Sequence, residues 1–365
     1  MGSALNIGII GVGTISAQYF AEFPKLEGLH VVAVADINEA RAAEVAAEHD
    51  VDVLTVDALL ADPRIDAVLN LTIPVAHVDI AMRALRAGKH VYGEKPLALD
   101  PDEAAPMLEF AREHGLRVGS APDTVLGTGV QTARALLDSG SVGDPVAAAV
   151  HWSSPGHELW HPAPQFYYQP GGGPLFDMAP YYLTTLVTLL GPVIRVSGVA
   201  TRSSRERSTA TGDEAGSSVP VNVETHVSAI LEHTNGVTST LTVSFEVWAS
   251  RAPLFEIYGT KGTIAVPDPN RFSDPVEVWT VDTPEWTKMP ISAGYADAGR
   301  GVGLADLAHA IETGRPHRAS AELAFHVLEI MDAVLRAASE HRVVELTSTV
   351  ARPEPVPFGA TPSTW

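Results

Sequence analysis

A glycine-rich turn near the start of the chain limits what it can become. The apolar run 6–10 ends at Gly11-Val12-Gly13-Thr14-Ile15-Ser16, and Ile15, Tyr19, Phe20 and Phe23 follow at the 3–4 spacing of an amphipathic helix. Strand, G-x-G-x-x-S turn and helix in that order describe the opening unit of a nucleotide-binding sheet. Gly11 permits the tight turn, and Gly13 lets a pyrophosphate approach the backbone of the turn formed with Thr14 and Ile15. Alone the motif is weak, since a glycine-rich turn occurs in many α/β domains. It gains force from Asp36, which closes the next apolar run, 30–35, twenty residues after Ser16. A carboxylate there accepts ribose hydroxyls and repels a 2′-phosphate. NAD is therefore the expected cofactor.

The rhythm continues to about residue 122. Strand-like runs at 65–72, 90–96 and 116–122 alternate with helical patterns at 39–48, 77–89 and 101–115, the last two closed by Gly88 and Gly115. Such alternation predicts an N-terminal Rossmann domain over 1–122, a doubly wound parallel sheet. Beyond about 145 the period changes to two. Residues 221–247 alternate on both sides of Asn235-Gly236, a strong hairpin signal, and 254–266 and 276–281 add strands. An α+β domain with an open, mainly antiparallel sheet is expected over 123–350, with helices at 175–190 and 320–341. A Pro-rich, extended tail fills 351–365.

Composition narrows the function. The chain has no cysteine, which excludes disulfides, thiolate metal sites and a cysteine nucleophile. Its formal charge is −20 without any Lys/Arg-rich run, so nucleic acid is not an expected partner. No run of 18 apolar residues predicts a membrane span, and the first six residues lack the basic start of a signal peptide; cytoplasm is the default expectation. Lysine is scarce, occurring only at 25, 89, 95, 261 and 288, which singles out Lys95.

Two segments follow strands and should face the ligand crevice of a doubly wound sheet: Thr72-Ile73-Pro74 with His77, and Glu94-Lys95-Pro96. With the nucleotide turn before it, Glu94-Lys95-Pro96 resembles the Gfo/Idh/MocA oxidoreductase family. The glycine-led stretch 171–186 (GGGPLFDMAPYYLTTL) is similar to that family's substrate helix, and 256–264 (EIYGTKGTI) to its late hairpin, so the resemblance spans roughly 6–345. It implies that Lys95 bonds the reacting hydroxyl, that Glu94 and a cis Lys95–Pro96 bond hold it beside the nicotinamide, and that Asp177 faces the substrate. Most members carry His four residues further on; here Tyr181 stands there, and Ala179 replaces a usual glycine.

The chemistry has its own logic. Oxidising a secondary alcohol needs a proton acceptor beside a hydride acceptor, and a lysine buried next to a positive nicotinamide should have a lowered pKa. Asp177 and Tyr181, at i and i+4, are expected on one helical face as joint contacts to neighbouring hydroxyls. A helix-dipole charge and a core aromatic are the plainer readings of the two. Asp123, just past the last strand-like run, joins the substrate-facing set.

The stretch His157-Glu158-Leu159-Trp160-His161 spells the H-E-x-x-H of zinc proteases. That motif needs a continuous helix. Pro155-Gly156 before it, and Pro162 and Pro164 after it, deny one, and Pro162 disfavours helical geometry at His161. No metal is expected. His157, Trp160 and His161 are instead expected to face a carbohydrate, aromatic rings stacking on sugar C–H faces; packing of the loop on the sheet is the alternative. The expected activity is NAD-dependent hydride transfer at a secondary hydroxyl of a sugar, glycoside or cyclic polyol. An NAD-dependent glycosidase acting through transient C3 oxidation, and a non-catalytic NAD-binding regulator, are the rivals. A homodimer or homotetramer is expected because Phe245, Val247 and Trp248 extend the apolar surface of strand 237–247 beyond simple alternation.

Overall fold

The computed structural model describes residues 4–361. Contacts divide the chain into two compact units, and the division is not sequential. Among the described residues, the first comprises those up to Thr128, Ala293–Phe325 and those from Pro353 to Thr361; the second comprises Gly129–Ser292 and His326–Arg352.

In the first unit, six strands form one parallel sheet: β1 (Leu5–Ile10), β2 (Leu29–Ala35), β3 (Asp52–Val53), β4 (Ala67–Asn70), β5 (His90–Gly93) and β6 (Val118–Ser120), in the order β3-β2-β1-β4-β5-β6. The order reverses between β1 and β4, where a doubly wound sheet opens its ligand crevice. Helices α1 (Ser16–Glu22), α2 (Glu39–His49), α3 (Val56–Ala61), α4 (His77–Arg86) and α5 (Pro101–Glu113) connect the strands. The central strands are buried on both faces, as Ile7, Ile9, Val34, Val68 and Leu69 show. Local signals set the helix ends. Asn38, Thr55 and Asp100 accept backbone N–H bonds at the starts of α2, α3 and α5, and Gly88 and Gly115 take positive φ just past α4 and α5.

The second unit is built on a nine-stranded mixed sheet. Its strands are β7 (Pro145–Ser153), β8 (Val193–Thr201), β11 (His226–His233), β12 (Thr238–Ser244), β13 (Phe255–Gly259), β14 (Gly262–Ala265), β15 (Glu277–Thr280), β16 (Thr287–Lys288) and β17 (Val344–Glu345). A separate ribbon pairs β9 (Glu206–Ser208) with β10 (Ser218–Pro220). Only the β7–β12 pairing is parallel. The hairpin at Asn235-Gly236 joins β11 to β12. Helices α6 (Thr128–Asp138), α7 (Gly173–Asp177), α8 (Ala179–Leu190) and most of α10 (Ala321–Glu340) belong to this unit; α9 (Val302–Thr313) belongs to the first. Gly198 lets α10 lie on β8, because a Cβ there would sit 2.7 Å from the Val334 carbonyl oxygen.

Alternation in β12 runs as expected, with Leu241 and Val243 inward, and the expected apolar extension holds only in part: Trp248 is 79% exposed and Val247 half-buried, but Phe245 is not on the surface. Phe245 is fully buried among Trp152, His157 and Tyr168. The outward row of β12 is Thr238, Thr240 and Thr242. No described helix is long and apolar enough to cross a membrane.

The described part of the tail is held at Glu354 and Pro355. Asp306 on α9 is fully buried between Arg315 Nη2 (2.5 Å) and Arg318 Nη1 (3.0 Å). Arg318 in turn donates to the carbonyls of Glu354 (2.8 Å) and Pro355 (3.1 Å). Removing one partner of a buried ion pair typically costs about 3–5 kcal/mol. Asp306→Ala should lower stability by about that much and loosen the tail, seen as a lower chemical-denaturation midpoint and faster amide exchange around Val356. An unchanged midpoint would contradict it.

Candidate functional site

The ends of β1, β2, β4 and β5 carry the first set of expected residues. Gly11 has φ +94°, and a Cβ there would lie 2.7 Å from the backbone carbon of Leu71, so the chain can turn here only as glycine. Gly13 and Thr14 are exposed, Ile15 is half-buried, and nothing lies within 4 Å of a Cβ built on Gly13. The turn is therefore open on the side where a phosphate would approach. Ser16 closes it, its hydroxyl donating to the Gly13 carbonyl at 2.7 Å.

Asp36 is fixed by backbone. Oδ2 accepts from Val12 N and Oδ1 from Asn38 N, both at 2.8 Å. Each carboxylate oxygen retains a further lone pair, so the group can still accept ribose hydroxyls. Arg41 also reaches this turn, donating to the Val12 carbonyl (3.2 Å) and to Glu44 (2.7 Å). Sequence reasoning also missed an apolar rim. Ile37 is 100% exposed, and Ile73 and Val75 are largely exposed, at the ends of β2 and β4. Uncovered aliphatic side chains beside a nucleotide turn suit a flat heteroaromatic ring. In the sequence they read as ordinary apolar residues flanking strands.

At the end of β5 the Lys95–Pro96 bond is cis. Glu94 is buried; Oε1 accepts from Tyr19 Oη (2.8 Å), Oε2 from Lys95 N (3.2 Å), and its own N–H donates to the Asn70 carbonyl (3.0 Å). Burial, reinforced by the Glu94 charge, pushes the Tyr19 phenol well above its usual range, so it stays a donor. Lys95 itself is half-buried.

Two expected contacts prove structural. His77 was expected at the cofactor, but it is buried, with Nδ1 2.7 Å from the Pro96 carbonyl oxygen and Nε2 2.9 Å from that of Thr72. Burial lowers its pKa, so the neutral ring donates to one carbonyl at a time and ties the loop after β4 to the turn after β5. The Thr72 hydroxyl donates to Asn70 at 2.7 Å, and Pro74 starts a short 3₁₀ turn. Asp123 was expected to face substrate, but it is 0% exposed. Its carboxylate accepts from Gly301 N (2.8 Å) and Gly303 N (3.1 Å) at the start of α9, with Arg300 3.8 Å away. Burial raises its pKa against the pull of Arg300.

The second set lies in the second unit. His157–Leu159 forms a single 3₁₀ turn after Gly156, whose φ is +123°. Glu158 is the anion of a buried charge cluster: it pairs with Arg207 Nη1 at 2.6 Å and accepts from the Tyr168 hydroxyl, and Arg207 also pairs with Glu246 at 2.9 Å. His161 Nδ1 accepts from Ala163 N at 3.0 Å, and His157 Nε2 lies 2.9 Å from Asp177 Oδ2. One ring nitrogen of each histidine and the Glu158 carboxylate of the zinc-like motif thus have partners other than a metal, and no cluster of three or more metal-binding side chains occurs among the described residues. His157 was expected to touch substrate; it is 6% exposed and reaches Asp177 instead. Trp160 and Phe166 do face solvent, in edge-to-face contact with His161 at 5.4 and 5.5 Å between ring centroids.

Asp177 and Tyr181 do not share one helix. Asp177 ends α7, Met178 breaks the geometry, and Tyr181 lies buried in the first turn of α8. The single helix expected over 175–190 is thus divided at Met178, whose φ of −107° departs from regular helix. Tyr182 beside it is buried and donates to Asp268 at 3.0 Å.

Comparison with known proteins follows the same division. Residues 5–121 match the family model for an oxidoreductase family with an NAD-binding Rossmann fold, and residues 130–265 match the GFO/IDH/MocA C-terminal domain. A dTDP-3,4-didehydro-2,6-dideoxy-alpha-D-glucose 3-reductase of Streptomyces violaceoruber is 33% identical over 219 residues, 58% of this chain and 62% of that protein. A D-xylose dehydrogenase of Paenarthrobacter nicotinovorans is 25% identical over 335 residues, 85% of each chain. Levoglucosan dehydrogenase, solved in complex with NADH and L-sorbose, has the same fold, with a TM-score of 0.81 at 22% identity over 95% of this chain and 100% of that one. The chain spans between 44% and 63% of the length of four of the curated relatives it matches. The two matched domains, in this order and over more than half of its residues, place the chain in the GFO/IDH/MocA oxidoreductase family.

Proposed function

We propose that the protein transfers hydride between a secondary hydroxyl of a sugar, glycoside or cyclic polyol and NAD. The observation that carries this is Lys95, set at the end of β5 by Glu94 and Tyr19 in the same unit as Asp36 and the open Gly13 turn. The relatives support the substrate class, since they include enzymes named for D-xylose, inositol and levoglucosan.

The residues fit the cofactor. Asp36 would hold the ribose hydroxyls, Gly13 would leave room for the pyrophosphate, and Ile37 and Ile73 would flank the adenine. NAD supplies the hydride acceptor when bound. Lys95 then takes the proton of the reacting hydroxyl, and the buried Tyr19–Glu94 pair keeps the turn that carries Lys95 in place. Asp177 accepts a hydrogen bond from a neighbouring hydroxyl, which aligns the sugar, and Tyr181 assists in moving the proton. Trp160 and Phe166 offer apolar faces to the ring. None of these steps calls on a metal ion.

Purified protein with NAD⁺ and D-xylose, myo-inositol or levoglucosan, followed by NADH absorbance, tests the reading. Lys95→Ala should lower turnover by about 10²–10⁴-fold, the usual range for a general acid–base group, with NAD⁺ affinity nearly unchanged because the Gly11, Gly13 and Asp36 site is untouched. NAD⁺ should bind more tightly than NADP⁺ by about 1–3 kcal/mol, from repulsion of a 2′-phosphate by Asp36. Wild-type turnover in Lys95→Ala would refute the mechanism. Glycoside cleavage without net NADH would favour the glycosidase, and NAD⁺ binding without any turnover would favour the regulator.

A chelator should leave the activity intact, and metal analysis of the purified enzyme should find no stoichiometric zinc. Zinc that activity requires would restore the protease-like reading of residues 157–161.

We also propose that a second copy of the chain covers the outward face of the nine-stranded sheet. Ile194, Val199 and Ile230 are exposed there, beside the small side chains Thr238, Thr240 and Thr242. A one-sided open sheet of this length leaves an apolar area that association removes from water. Light scattering at micromolar concentration should give a dimer or tetramer; a monomeric mass would rule the arrangement out.

A further inference from the structure

A buried histidine sits behind Asp177. His157 Nε2 lies 2.9 Å from Asp177 Oδ2, and four aromatic rings wall the imidazole in: Tyr167 and Phe245 at 4.4 Å, Trp160 at 5.0 Å and Trp152 at 6.2 Å between centroids. A ring so enclosed has no face for a sugar. An ionised carboxylate only accepts, so Nε2 carries the hydrogen of this bond and Nδ1 lies on the far side of the ring. The latter is buried without a partner among the described residues.

The backbone of His157 is anchored as well. Its N–H bonds Tyr168 Oη at 3.2 Å, its carbonyl accepts from Trp160 N and His161 N, and the adjacent Glu158 is locked to Arg207. The backbone that carries the imidazole is thus held beside that charge cluster. Asp177 ends the five-residue α7, next to Met178, and its Oδ2 is the atom that meets the imidazole.

We propose that His157 is a positioning residue for Asp177. A rigid N–H held by the charge cluster fixes the plane and rotamer of a carboxylate that must meet a substrate hydroxyl in one orientation. The inference rests on the reading of Asp177 as a substrate-orienting group.

The test is a set of variants assayed with NAD⁺ and D-xylose, myo-inositol or levoglucosan: His157→Phe, His157→Gln, Asp177→Asn and the double variant His157→Phe/Asp177→Asn. His157→Phe keeps the aromatic bulk but removes the donor, and should lower kcat/KM about 10- to 100-fold, the range for a lost hydrogen bond to a charged group. NAD⁺ affinity should not change. His157→Gln can place an N–H near the old Nε2 and should recover to within a few-fold of wild type. In the Asp177→Asn background, His157→Phe should add no further loss, since a residue that acts only through Asp177 has nothing left to position. Wild-type kinetics in His157→Phe, or losses that multiply in the double variant, would overturn the inference. Asp177→Asn with wild-type kinetics would instead overturn the site reading, and this inference with it. The ring ¹⁵N spectrum gives a readout apart from activity: His157 should be the Nε2–H tautomer, with a resonance that moves in Asp177→Asn. An Nδ1–H tautomer would overturn the proposal even if the Phe variant failed to fold.

Discussion

The first unit depends on how closely the ends of β1 and β4 approach each other. Gly11 N donates to the Ala35 carbonyl and Leu71 N to the Ile10 carbonyl, both at 2.8 Å, and no Cβ fits at Gly11. Three strand ends, those of β1, β2 and β4, are thereby held at one level. Asp36 reaches back across this junction to Val12, and Glu94 reaches Asn70 in the same layer. A side chain at any of these strand ends inherits a fixed position from the sheet rather than from its own loop. That is the general reason ligand crevices of parallel sheets lie where the strand order reverses.

The second unit solves a different problem, an aromatic loop with little regular structure. Its rigidity comes from charge. Glu158, Arg207 and Glu246 are desolvated together, a cost offset only by good geometry and extra hydrogen bonds. Arg207 meets both requirements: it pairs with both carboxylates and donates to the carbonyls of Pro155 (3.0 Å) and Phe245 (3.0 Å). The cluster also takes up the glutamate of the zinc-protease-like motif. The glutamate that would serve as a general base beside a metal is here the counter-ion of an arginine. The same cluster leaves Trp160 and Phe166 facing solvent while His157 turns inward to Asp177.

Sequence alone determined whatever rests on local pattern. Gly11, Gly13 and Asp36, the Gly88 and Gly115 helix ends, the Asn235-Gly236 hairpin and the turn at Glu94-Lys95-Pro96 were all legible, because each is a backbone requirement met within a few residues. So was the change from helix-strand alternation to period two that separates the two sheets. Tertiary structure decided the partners. The Asp123 carboxylate is taken by Gly301 and Gly303, 178 and 180 residues away, and His157 by Asp177, 20 residues away, and no spacing rule encodes either pairing. Phe245 read as surface because it follows an alternating strand, yet the loop of Trp152, His157 and Tyr168 folds over it. The break at Met178 separates Asp177 from Tyr181 in a stretch whose apolar period suggested one helix. Periodicity reports which side of an element avoids water. Which polar group meets which is settled only when distant segments pack, because a buried donor or acceptor must find its partner wherever the fold brings one.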